Sequence, residues 1–318
     1  MLSEHEGRIR ECAGTILSVC AGIKKGESVL LVTDSPGSDT RPSILAAQAG
    51  AMGAKVAIMA LGVDVTREPP EEISRTMLQN DVTVFCVNEA RTLLWGHADA
   101  KVAAIRKGGR VLFLTQPIES TPSADELRAI RDRSLRLADV LEKASKVTLL
   151  TDGYRLDLKL GGRRALRLSS ILSDAGSWGA VPDYAEAGVA PLENETNGDL
   201  RVDGIIVGLG RVVEPVDLHF ESGRLVTISG GETGKAFERM LGSESSARVL
   251  CELGFGTNHL RKEIRGEFDD KKALGTVHIA MGDNHTFGGT NRSTLHIDCL
   301  VTKPEVMIDD RPFVLSSV

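Results

Sequence analysis

Apolar residues recur at helical spacing between Glu4 and Ile23, at Ile9, Cys12, Ala13, Ile16, Leu17 and Cys20, and Gly22 with Gly26 ends the segment. A continuous apolar run of strand length follows at Glu27 to Thr33, then the loop-like stretch DSPGSDT. From there helix and strand alternate. Arg41 to Ala51, Pro69 to Gln79 and Thr92 to Arg106 have helical patterns, and Lys55 to Leu61, Val82 to Val87 and Arg110 to Thr115 read as strands. Strands that are apolar throughout and alternate with helices predict a parallel sheet covered on both faces.

Ser123 to Ala144 is a long amphipathic pattern that Ser123, with Glu126 three residues later, is placed to cap. Beyond it the pattern changes to short strands with turns at Lys146 to Thr151, Arg155 to Leu160, Leu200 to Val207, Val216 to Phe220 and Arg224 to Ser229. A single helix is expected at Gly234 to Gly242. The change near Lys143 to Val147 predicts an N-terminal α/β domain over 1–145 with a parallel sheet, and a mainly β (α+β) domain over 146–318.

Composition narrows the function. A chain of 318 residues with 42% hydrophobic positions has material for two cores, and a net charge of −6 argues against a general nucleic-acid or anionic-membrane surface. Aromatic residues, at 4%, leave little for stacking on bases. No apolar run approaches the ~20 residues that span a bilayer. MLSEHEGRIR lacks the apolar core of a signal peptide, so a cytoplasmic protein is expected. The five cysteines form no CxxC pair and sit among apolar neighbours, which predicts buried free thiols. DSPGSDT follows a strand but carries neither GxGxxG nor GxxxxGK[ST], so it reads as a connecting loop. Trp95 and His97 fall within a helical pattern and read as packing residues or a subunit contact.

Candidate chemistry gathers in Gly275 to Asp298, which holds three of the seven histidines. In a strand over Ser293 to Val301, residues two apart share a face, so Thr294, His296 and Asp298 look one way and Leu295, Ile297 and Cys299 the other. The same alternation sets Val277, Ile279 and Met281 against His278 in the preceding strand. Between them GDNHTFGGTN is rich in turn formers and forms a loop able to bring His285 over those faces. Two carboxylates add to this. Glu252 lies between Cys251 and Leu253, where an ionised group must be paired or metal-bound, and Glu186 lies in a segment read as a loop.

AEAGVAP around Glu186, NETNG at 194–198, VDG at 202–204, ELGFGTN at 252–258, ALGTVHIAMGDN at 273–284, FGGTNRS at 287–293 and LHID at 295–298 together resemble the metalloaminopeptidases typified by aminopeptidase T and aminopeptidase S. That resemblance implies two divalent metal ions, zinc, cobalt or manganese, held by Glu186, Glu252, His278, His296 and Asp298. It also implies a small peptide or amide substrate and a homodimer. A water bridging two such ions would attack the substrate carbonyl, and Glu186 or Glu252 would carry the proton to the leaving amine. Where the family has a tyrosine seven residues after the first histidine, this chain has His285, which would stabilise an oxyanion as a proton donor or bind metal itself.

The same superfamily includes ring-cleaving dioxygenases of dihydroxypyridines, which use one Fe(II) held by two histidines and an aspartate. His278 or His285, with His296 and Asp298, would make such a triad. Retention of both Glu186 and Glu252 sets the two-metal hydrolase first and the dioxygenase second. A non-catalytic relative that kept the fold is the third reading.

Overall fold

The computed structural model describes residues 4–315 apart from 36, 63, 173, 182 and 183. Met1 to Ser3 of the N-terminus, Pro36 of the DSPGSDT loop and Asp183, which begins the Glu186 segment, therefore lie outside the described residues.

Helix α1 (Glu4–Thr15) continues through a wider π-helical stretch, Ile16–Cys20, whose apolar face is buried. Strand β1 (Ser28–Thr33), helix α2 (Arg41–Ala51), strand β2 (Lys55–Ala60), helix α3 (Glu71–Met77) and strand β3 (Val82–Cys86) follow the alternation expected. The pattern over 92–106 resolves into two helices, α4 (Glu89–Trp95) and α5 (Asp99–Arg106), separated around Gly96. Asn88 caps α4 by accepting the Arg91 amide at 3.0 Å, and Trp95 is buried with its indole N–H donating to the Thr66 carbonyl at 2.9 Å. Strand β4 (Arg110–Leu114) precedes helix α6 (Ala124–Lys143). The Ser123–Glu126 capping box closes as the pattern predicts: the Ser123 amide donates to Glu126 at 2.8 Å and the Glu126 amide to the Ser123 hydroxyl at 3.3 Å.

The second part of the chain contributes β5 (Lys146–Thr151), β6 (Tyr154–Lys159), β7 (Leu166–Ser169), β8 (Trp178–Val181), β9 (Ala185–Val189), β10 (Asn197–Val202), β11 (Ile205–Ile206), β12 (Gly210–Arg211), β13 (Val216–Glu221) and β14 (Arg224–Ser229). After helix α7 (Gly231–Leu241) come β15 (Leu250–Gly256), β16 (Val277–Gly282), β17 (His296–Val301), β18 (Glu305–Ile308) and β19 (Arg311–Phe313).

Two compact units result, and their division differs from a single boundary at 145/146. One unit takes residues 1–131 and 169–184, the other 132–168 and 185–318. The first is an α/β domain whose five strands, in order β2-β1-β3-β4-β8, all pair in parallel. Strand β8 explains the shifted boundary. It returns to pair with β4, and Trp178 packs edge-on to Phe113, which itself stacks on Phe85 at 5.0 Å. A four-residue strand flanked by Gly and Ser carries too little periodicity to be read beforehand.

The second unit is mainly β. Two seven-stranded sheets, β14-β13-β10-β6-β5-β18-β19 and β12-β11-β17-β16-β15-β9-β7, share one core in which Leu149, Leu156, Leu200 and Leu218 meet Val189, Phe255, Ile279 and Ile297. All five cysteines are buried and unpaired, as expected. No helix among the described residues is long and apolar enough to cross a membrane.

Candidate metal centre

Strands β9, β15, β16 and β17 run antiparallel side by side, and their alternation divides chemistry from core. Ala187, Val189, Leu253, Phe255, Val277, Ile279, Ile297 and Cys299 point into the shared core. Glu186, Glu252, His278, His296 and Asp298 occupy the intervening positions. Register then brings them together: Glu252 pairs with Ala280 and Ala280 with Asp298, while Gly188 pairs with Gly254 and Gly254 with His278. Small residues make the room. A Cβ on Gly254 would stand 2.2 Å from His278 Nε2, and one on Gly188 would stand 3.3 Å from a Glu252 oxygen.

The contacts are short. His278 Nε2 lies 3.4 Å from Glu186 Oε2, 3.6 Å from Glu252 Oε1 and 3.9 Å from Asp298 Oδ1. His296 Nε2 lies 3.0 Å from Glu252 Oε2 and 3.5 Å from the same Asp298 Oδ1. His278 is fully buried, yet neither of its ring nitrogens nor Asp298 Oδ1 makes a hydrogen bond. Buried polar atoms without partners are costly, and His278 Nε2 and Asp298 Oδ1, 3.9 Å apart, call for an occupant. Ligand atoms bound at about 2.0–2.2 Å to one ion stand roughly 3–3.6 Å from each other, so these separations suit a shared cation. Two overlapping groups of three, Glu186 with Glu252 and His278, and Glu252 with His296 and Asp298, have ligand atoms all within 4.8 Å of one another.

Neighbouring groups orient the ligands and keep two of the carboxylates ionised. His296 Nδ1 is 2.8 Å from the Asp283 carbonyl, which can only accept, so Nδ1 donates there and Nε2 is the nitrogen turned to the cluster. Burial pushes Glu252 upward, but His278 and His296 outweigh it and hold the carboxyl well below the usual range. Burial likewise opposes ionisation of Asp298, and the charges of Lys271 and His296 overcome it. Lys271 donates to Asp298 Oδ2 and Lys272 to Glu186 Oε2, and both lysines are buried.

Asp270 positions this lysine pair. Its carboxylate, itself fully buried, accepts from Arg261 and from the amides of Arg265, Gly266 and Glu267, fixing the short helix Phe268–Lys272. The Asn258 amide then ties that helix to the loop after β15 by donating to the Lys272 carbonyl at 2.8 Å.

The loop between β16 and β17 is held separately. Glu193 accepts from Arg163, from Asn284 Nδ2 at 3.1 Å and from the Thr290 amide at 2.7 Å, and Glu244 accepts from Ser246, Ser293 and Thr294. His285 sits on this loop with Nδ1 2.7 Å and 2.8 Å from the two Asp283 oxygens, while Phe287 lies edge-on to the His296 ring. His285 does not join the ligand groups. Glu186, read as a loop residue, is instead buried in β9. Sequence reasoning missed Lys271, Lys272, Gly188 and Gly254. The lysines stand in DDKKAL, which reads as a solvated charge run, and the glycine spacing in ELGFG was the signal for a crowded sheet face.

Fold and clustered ligands together define a metal-dependent enzyme. The chain belongs to the NicX family, 2,5-dihydroxypyridine 5,6-dioxygenase, whose model it matches over residues 9–318. Among solved structures it is similar to the 2,5-dihydroxypyridine dioxygenase of Pseudomonas putida KT2440, with 18% identity, 96% of this chain and 95% of that one covered, and a TM-score of 0.79. It is also similar to AmpT from Thermus thermophilus, with 15% identity, 98% of each chain covered and a TM-score of 0.68. A search of curated proteins found no match. The family match overturns the aminopeptidase expectation: the two groups share this fold, and the family model that spans the chain is that of the dioxygenase.

Proposed function

We propose that this protein is a non-haem Fe(II) dioxygenase that opens the ring of a dihydroxylated pyridine. The observation that carries the reading is the family match over residues 9–318. The chemistry of the site supports it: two imidazoles and one carboxylate oxygen, His278, His296 and Asp298 Oδ1, converge, and His278 Nε2 and Asp298 Oδ1 make no hydrogen bond. That is the donor set of the two-histidine, one-carboxylate facial triad. Bound iron would supply open positions at which oxygen and a chelating hydroxypyridine meet.

The chain's own residues do the rest. Asp283 orients His296 through its carbonyl, and Lys271 holds one Asp298 oxygen so that the other faces the histidines. The Asp283 carboxylate accepts a hydrogen bond from His285 Nδ1–H, which leaves Nε2 as the acceptor nitrogen, and in this reading His285 accepts the proton that a substrate hydroxyl releases. Glu252, between both histidines, keeps the site anionic.

Protein purified without oxygen and loaded with iron should consume about one O₂ per 2,5-dihydroxypyridine added, with loss of the ring absorbance. Iron-loaded protein that binds the pyridine and takes up no oxygen would overturn the reading.

A further inference from the structure

The five candidate ligands are enough for two ions, and the structure assigns a reason why only one binds. We propose that Lys272 fixes the metal count at one, its ammonium standing on Glu186 where a second ion would have to sit. The inference rests on the metal-centre reading above, but not on the identity of the metal or on oxygen chemistry.

Three observations carry it. First, Lys272 donates to Glu186 Oε2, the same oxygen that lies 3.4 Å from His278 Nε2. The acceptor that would link Glu186 to an ion shared with His278 is thus already engaged by a cation of the protein. Second, Lys272 has no exposed surface, and its backbone is tied down through Asn258 and the Asp270-centred turn. It has no path to swing into water when metal arrives, as a surface lysine would.

Third, the charges count against a second ion. Counted over carboxylates and lysines alone, Glu186, Glu252 and Asp298 bring three negative charges and Lys271 and Lys272 two positive ones, a net of −1. One divalent ion takes it to +1. Two would take it to +3 in a largely buried site, where uncompensated charge is costly. The two lysines are not equivalent. Lys271 binds Asp298 Oδ2 and leaves Oδ1 without a partner, aimed at both histidines, so it shapes a ligand. Lys272 occupies the Glu186 oxygen nearest a histidine, so it replaces an ion.

The test is stoichiometry. Chelator-stripped protein is loaded with excess Mn²⁺, desalted and counted by elemental analysis, with electron paramagnetic resonance to reveal coupled ion pairs about 3.5–4 Å apart. Wild type should hold about one ion and give an uncoupled signal. Lys272→Met should rise to about two with a coupled signal. The charge-balanced double variant Glu186→Gln with Lys272→Met should hold about one, as wild type does. Two ions in the wild type, or a folded Lys272→Met that stays at one, would overturn the inference. If Lys272→Met alone fails to fold, the double variant decides: loss of the single ion would make Glu186 a ligand and remove the argument. Oxygen uptake is read separately on iron-loaded wild type. One ion without uptake retires the dioxygenase reading and leaves the role of Lys272 standing, and two ions with uptake does the reverse.

Discussion

Two sets of carboxylates in the C-terminal unit have the same chemistry and opposite surroundings. Glu193 and Glu244 face donors: a guanidinium, an amide side chain, hydroxyls and backbone N–H groups take up their oxygens. Glu252 and Asp298 face the imidazoles of His278 and His296, and neither the His278 ring nitrogens nor Asp298 Oδ1 makes a hydrogen bond. A carboxylate surrounded by donors is a structural fastening, complete when the chain folds. One with an oxygen left without a donor is incomplete until a cation arrives. The difference lies in the partners, and no property of Asp or Glu alone announces it.

Substitutions in the two sets should therefore separate cleanly. His296→Ala should have the largest effect, abolishing bound metal and lowering turnover at least ~100-fold while the fold is retained. A metal-replete, active variant would remove His296 from the ligand set. Gly254→Ala should come close to it without replacing any ligand, because its methyl would meet His278 Nε2 at 2.2 Å. Metal content should fall while circular dichroism stays unchanged, and full metal retention would show that β15 and β16 can move apart cheaply. His285→Ala should lower turnover more than metal content, and a variant that loses metal first would make His285 a ligand instead.

On the structural side, Glu193→Gln should leave metal bound and lower stability by about 1–3 kcal/mol, read as a melting point several degrees lower. Metal loss at an unchanged melting point would reverse the comparison. The smallest effect concerns acid. Burial opposes ionisation of Glu193, yet Arg163 and the Thr290 amide hold its carboxyl at about 2, below its ordinary value of 4.5. The folded state thus binds the proton less tightly than the unfolded one. The stabilisation is complete above about 4.5 and is lost as pH falls through about 2. Wild type should lose more stability over that window than Glu193→Gln, and parallel acid curves would contradict it.

Local patterns were legible where the physics is local. The limits of α2, the Ser123–Glu126 cap and the inward and outward alternation of β16 and β17 follow from spacing alone, as does the pairing of His296 with Asp298 on one face. Reading Glu186 as a loop residue failed because Glu-Ala-Gly lacks β-branched residues, and β9 exists through its partner β15. The lysines were invisible for a related reason, since their burial depends on a turn that Asp270 organises and on carboxylates far away in the chain. The choice of chemistry also escaped sequence reading. Counting ligands favoured two ions, and what argues for one is a lysine that no ligand motif includes.

The route of the chain through β8 has a practical side. Because residues 169–184 return to complete the N-terminal sheet, neither unit is a continuous stretch of polypeptide. A fragment cut at 145 would leave the β4 edge bare, with Val111, Leu112, Phe113 and Leu114 deprived of their neighbour, and exposed edges of that kind recruit other strands. During synthesis the same edge waits for some seventy residues to be added before it is covered. Shortened versions of this protein should therefore aggregate unless they keep 169–184, and a workable dissection would graft that segment onto the N-terminal piece.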